Sequence, residues 1–202
     1  MSSSTPRPTV RSEEIAARFD LSPEARALLA PGLAPSDYVG ALLEKELWSD
    51  AAGFVGQWLG RRDAVTWACL AARKGLADPP PPKERAALEA AERWLKEGDE
   101  PSRRSCEAAA EALQYRSAAA MAAAAAFWSG GSLAPPDLPK IPAPENLAGK
   151  GAAGAVLMAG AAGEPDVPAR LRELIWLGVD LAEGRWRPPR EPRRAEPAGK
   201  EG

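Results

Sequence analysis

Residues 48–76 read WSDAAGFVGQWLGRRDAVTWACLAARKGL, and the fold class turns on this stretch. Ala51, Phe54, Val55, Trp58 and Leu59 recur at i, i+3, i+4, i+7 and i+8 without a miss. That spacing stacks apolar side chains on one face of an α-helix. Gly60 interrupts the pattern and is expected to stop the helix. From Arg61 the pattern resumes. Ala64, Trp67, Ala68 and Ala71 form a second stripe, widened by Val65, Cys69 and Ala72. Asp78 and the prolines at 79–82 end it, because proline cannot donate the backbone hydrogen bond a helix needs.

The same reading extends in both directions. Ser12-Glu13-Glu14 and Pro23 open two short helical turns before residue 30. Ser36 is expected to cap a helix to Leu47, and Lys83 to Glu97 is strongly amphipathic. Ser102 is the expected cap for a helix from Arg103 to Gln114. Ser117 to Trp128 is nearly all alanine, a helix whose small residues let neighbouring axes approach closely. Residues 129–144, SGGSLAPPDLPKIPAP, form a proline-stiffened crossover, in which Leu133, Leu138 and Ile141 could pin an extended segment to the surface. A second small-residue helix spans Asn146 to Ala162, and Asp166 with Pro168 starts the last. The expectation is one all-α domain over residues 11–186, of about eight helices packed as antiparallel hairpins. Residues 1–10 and the Pro/Arg/Glu tail 187–202 are expected to be disordered.

Composition closes off much chemistry. The chain has 202 residues, 7 tryptophans and no histidine. Histidine-based hydrolases and histidine-ligated zinc or iron sites are therefore excluded. Cys69 and Cys106, both in helical patterns, read as free buried thiols rather than a disulfide. No Gly-rich loop runs into Lys-Ser/Thr, so a P-loop is absent. Gly149, Gly151 and Gly154 match G-x-G-x-x-G, but they follow a proline-rich loop instead of a strand and read as packing glycines. A net charge of -2 gives no general attraction for nucleic acid or anionic membrane. No stretch is apolar enough to insert in a membrane, and no leader is evident, so the expected location is the cytoplasm. Neither a cofactor nor a catalytic or metal-ligating residue is assigned.

Two constellations remain open. Glu89 and Glu92, with Glu107 and Glu111, could hold magnesium between facing helices, as in all-helical nucleotide hydrolases, but they alternate with cations as a solvated face does. Arg61-Arg62, opening the helix that carries Trp67, could bind phosphate or a partner carboxylate, or could stand in solvent while Asp63 takes the favourable place at the helix N-terminus. Arg103-Arg104 pose the same choice between a site and solvent, and five arginines between 185 and 194 could bind a groove or an acidic surface or simply solubilise the tail.

The chain resembles an uncharacterised bacterial family defined only as a domain of unknown function. The resemblance is carried by Ala16-Ala17-Arg18-Phe19 with Leu28-Leu29, by Asp50-Ala51-Ala52 to Leu59, and by Arg62-Asp63-Ala64-Val65-Thr66-Trp67-Ala68-Cys69. It continues in Ala126-Phe127-Trp128-Ser129-Gly130-Gly131-Ser132-Leu133-Ala134-Pro135-Pro136 and in Leu177-Gly178-Val179-Asp180-Leu181-Ala182-Glu183-Gly184. The Phe-Trp-Ser-Gly-Gly-Ser-Leu run is its most specific part. The resemblance implies a neighbourhood of type VI secretion genes and assigns no activity. The expected function is a non-enzymatic adaptor or accessory protein of a bacterial assembly, with an unidentified protein partner. Candidate partner-binding residues are Arg61, Arg62, Trp67, Trp128, Gly130, Gly131, Leu133 and Asp137. The alternative is the magnesium-dependent hydrolase.

Overall fold

A computed structural model describes residues 10–162 and 166–186; the two expected disordered ends lie outside them, apart from Val10. Within the described residues the chain is helical, with ten helices and no strand. They are α1 (Ser12–Ala16), α2 (Pro23–Ala27), α3 (Pro35–Glu44), α4 (Trp48–Trp58), α5 (Arg61–Gly75), α6 (Pro82–Glu97), α7 (Glu100–Ala112), α8 (Ala118–Phe127), α9 (Leu147–Ala161) and α10 (Val167–Ala182). The count exceeds the expected eight because the two short turns before residue 30 are helices in their own right.

Several helix starts differ from the sequence reading, each for a local reason. α3 begins at Pro35 after an extended Ala34, because proline is pre-set for the first helical position, and Ser36 caps nothing. Asp99, not Ser102, caps α7: its carboxylate accepts from Ser102 N at 2.9 Å. Ser12 sits inside α1, buried, and its hydroxyl donates to Leu33 O at 2.6 Å. Gly60 is the residue that starts α5 and does not close α4, whose last turn ends at an extended Leu59. Ser117 and Asp166 do cap, accepting from Ala120 N and Ala169 N respectively.

The organising element is α9, which packs on α4, α5, α8 and α10. Small residues allow this. A Cβ placed on Gly56 of α4 would lie 2.4 Å from the Gly149 carbonyl oxygen, so the two backbones touch there. One on Gly151 would meet Ala125 of α8 at 3.1 Å. The motif glycines 149, 151 and 154 are thus packing glycines. α8 is buried along Ala122 to Phe127, and around this small-residue centre sit Trp67, Tyr38, Phe54, Leu174 and Ile175, all buried. No described helix is long and apolar enough to cross a membrane.

Candidate functional site

The crossover between α8 and α9 is a tied hairpin-like loop. Ser129 Oγ donates to Ala126 O at 2.7 Å, and Gly131 turns the chain with φ 65°, a left-handed value that favours glycine. Leu133 N then donates to Ile141 O at 2.7 Å, and Ala143 N to Gly131 O at 3.4 Å. Ser132 Oγ accepts from both Ala134 N and Ile141 N at 3.1 Å, and Ser132 pairs with Pro142 in an isolated antiparallel bridge. Proline at 135, 136, 139, 142 and 144 stiffens what lies between.

Two arginines of α7 lock this loop to the bundle. Arg103 has only 5% of its side chain exposed. Its guanidinium donates to Phe127 O at 2.7 Å, to Ser132 O at 2.9 Å and to both oxygens of Glu100 at 2.6 and 2.7 Å. Arg104 donates to Ser132 O, to Ala134 O at 2.6 Å, and to Glu100 and Glu107 at 2.9 Å each. Both guanidinium groups lie over the Phe127 ring, at 4.7 and 5.4 Å from its centroid. The hydrogen bond from Arg103, reinforced by Arg104, draws the Glu100 pKa down to about 2 against the penalty of desolvation. Arginine suits this role because its planar fork presents several fixed donors to converging carbonyls.

The lock holds an apolar tip in solvent. Leu138 and Ile141 are 54% and 57% exposed, and with Met158 they are the exposed large hydrophobic side chains of the described residues. They do not pin the segment; Leu133, half-buried against the core, does. A cleft of about 350 Å³ lies beside the tip, walled by Arg104, Ser132, Pro135, Pro136, Leu138 and Lys140.

The expected contact residues divide between surface and scaffold. Asp137 stands exposed at the tip. Gly131 is scaffold: a Cβ there would lie 2.8 Å from the Arg103 guanidinium carbon. Gly130 is half-buried near Arg61. Trp128 is half-buried, stacked on Tyr115 at 5.9 Å between centroids and 10° between planes, with α9 at Gly151 beside its ring. Trp67 is a core residue, as its place on the apolar stripe of α5 implies, and not a contact residue. It is 0% exposed and its indole N–H donates to Leu174 O at 2.7 Å, so it offers no surface to a partner. Arg62 donates to Leu95 O and lies 6.0 Å from the Trp94 ring centroid, tying α5 to α6. Arg61 and Arg62 are both exposed, and Arg61 alone of that trio lines a cleft. That cleft, of about 680 Å³, is lined also by Arg18, Gln57, Glu145 and Asn146 beside the apolar Leu59 and Pro144.

Three of the four glutamates pair with arginines: Glu92 with Arg73, Glu89 with Arg85 at 3.9 Å, and Glu107 with Arg104 at 2.9 Å. Among the described residues no three Asp, Glu or Cys side chains gather to hold a metal ion. Cys69 and Cys106 are free and buried, and burial pushes both thiols up, that of Cys106 to about 12. Of the arginine tail, Arg185 pairs with Asp180 at 2.7 Å and the rest lies outside the described residues.

Sequence reasoning missed Arg103, Arg104 and Glu100 as the clamp, and Arg18 and Gln57 as cleft residues. Spacing offered one signal: Glu100, Arg103, Arg104 and Glu107 stand at i, i+3, i+4 and i+7, an ion-pairing face. No curated protein and no solved structure matches this chain. A family model does match residues 38–182, and the chain therefore belongs to DUF6931, a family of unknown function.

Proposed function

We propose that this protein is a non-enzymatic interaction protein, an adaptor or accessory part of a larger assembly, which docks a protein partner through the tip of the crossover. The observation that supports this most is the rigid exposure of Leu138 and Ile141 on a loop held by a nearly buried arginine. Exposed apolar side chains cost solvation, and a preformed loop loses little entropy when a partner covers them. Asp137 and Lys140 give the same tip polar specificity at its rim. A bacterial, secretion-linked assembly is part of the proposal and rests on the sequence resemblance; the cytoplasmic location is proposed from the sequence, which shows no apolar span.

Leu138→Asp with Ile141→Asp tests it. Both side chains are exposed, so the melting temperature should stay within about 2 °C of wild type. A partner cross-linked to the wild-type protein in its native cells should be lost with the double variant. Retention of every partner by the variant, or the lack of any with wild type, defeats the proposal.

A further inference from the structure

Arg18 and Arg61 belong to separate segments of the chain, one in the link between α1 and α2 and the other in the first turn of α5. The fold brings both to the wall of the 680 Å³ cleft. Arg18 is held there by its own bond to the Gln57 carbonyl at 2.9 Å, and its main-chain carbonyl accepts from Asn146 Nδ2 at 3.2 Å. Arg61 is half-exposed and reaches Glu145 only loosely, at 3.9 Å, with the glutamate side chain 95% in solvent. Such a pair is worth little and yields to a better-placed anion.

Two further features describe what the cleft accepts. Gly60 brings no side-chain cap to the 15-residue helix α5, although Asp63 places a carboxylate in its first turn. Gln57 is 5% exposed yet lines the cleft. Its amide nitrogen donates to Asn146 O at 3.1 Å, and no donor among the described residues reaches its amide oxygen. The wall therefore offers two guanidinium groups to an anion and, beside them, a nearly buried acceptor to a hydrogen-bond donor.

We infer that this cleft binds the carboxylate terminus of a polypeptide, with Arg18 and Arg61 on the carboxylate and the Gln57 amide oxygen accepting the N–H of the terminal residue. An α-carboxylate next to its own amide N–H carries that combination of charge and donor. Inorganic phosphate carries more negative charge, which the Glu145 carboxylate at the rim opposes, and it has no N–H for Gln57. The inference gives the interaction reading a ligand class at a second surface and rests on that reading, but the cleft is tested apart from the crossover tip.

The probes are N-acetyl-alanyl-alanine, its C-terminal amide, and inorganic phosphate, titrated into the full chain and followed by amide NMR. The free acid should shift the Gly60 and Arg61 backbone amides and the Gln57 side-chain amide saturably; the C-terminal amide should not. Arg18→Gln with Arg61→Gln should weaken the acid by about tenfold or more, since two charge-assisted bonds are lost, while the remaining spectrum stays dispersed. Equal shifts from acid and amide, stronger shifts from phosphate, or none from the acid overturn the inference. Since the tip residues take no part, loss of partner capture by the Leu138/Ile141 variant is read separately.

Discussion

Arg103 carries a positive charge into a site where only 5% of its side chain meets water. It is tolerated there because its donors meet two carbonyl oxygens and a carboxylate, and burying an unmatched cation costs far more. Nothing in the Arg103-Arg104 pair itself distinguishes this from a solvated face. The loop carbonyls they meet stand far along the chain, Ser132 at 29 residues from Arg103 and Ala134 at 30 from Arg104. The pH response follows. Glu100 titrates at about 2 in the folded protein because Arg103 and then Arg104 bond its charged form. A depressed folded-state pKa stabilises the fold above the unfolded value near 4.3 and is lost as pH falls through about 2. Glu100 is half-exposed, so solvent screening limits the effect to about 1 kcal/mol. Glu100→Gln should flatten that part of the acid limb: between pH 4 and 2 its urea midpoint should fall less than that of wild type. Parallel falls would show that the clamp adds nothing to acid stability.

At the scale of elements, glycines divide by what faces them. Gly56 in α4 meets the Gly149 backbone of α9, which cannot swing aside as a side chain could. Gly56→Ala is therefore expected to cost about 3 kcal/mol by forcing the two helices apart. Gly40, inside α3, has open space where a methyl would sit, with nothing within 4 Å. There alanine should stabilise by about 0.5–1 kcal/mol through helix propensity. Equal effects in urea unfolding would mean that α4 and α9 are not in backbone contact. The crossover gives a second contrast. Gly131 and Gly98 share left-handed φ values of 65° and 68°, but a methyl on Gly131 strikes the Arg103 guanidinium, whereas the nearest atom to one on Gly98 is Arg62 Nη1 at 3.9 Å. Gly98→Ala should cost about 1 kcal/mol, from the backbone alone. Gly131→Ala should cost more and raise amide exchange at Leu133, whose N–H closes the loop. Exchange left unchanged would show that the clamp does not order the crossover.

Across the whole molecule, α9 joins α4, α5, α8 and α10 into one helical body, with both cysteines in the same core. Burial holds both thiols protonated and covered. A disulfide reagent at pH 8 should label them only as fast as the protein opens globally, and a destabilising variant such as Gly56→Ala should speed both thiols by the same factor. Rapid labelling of one in wild type would place it in a separately opening unit. The helices were legible in the chain alone, because a 3.6-residue apolar stripe and its breakers act over a few neighbours: α4 and α5 could be read from Ala51 to Ala72 without reference to any other segment. The absence of histidine and the close packing that the alanine-rich helix allows were equally plain there. Which polar residues serve packing and which face an opening was settled only by the folded arrangement. Arg62 stands beside Arg61 in the sequence and is bound to Leu95; Trp67, on the apolar stripe of α5, is sealed with its indole N–H on Leu174; Arg18 lies far along the chain from Arg61 and shares a cleft with it. The physical reason is that a side chain's partner is set by distance in space, and the close α4–α9 approach brings together residues that no local pattern relates.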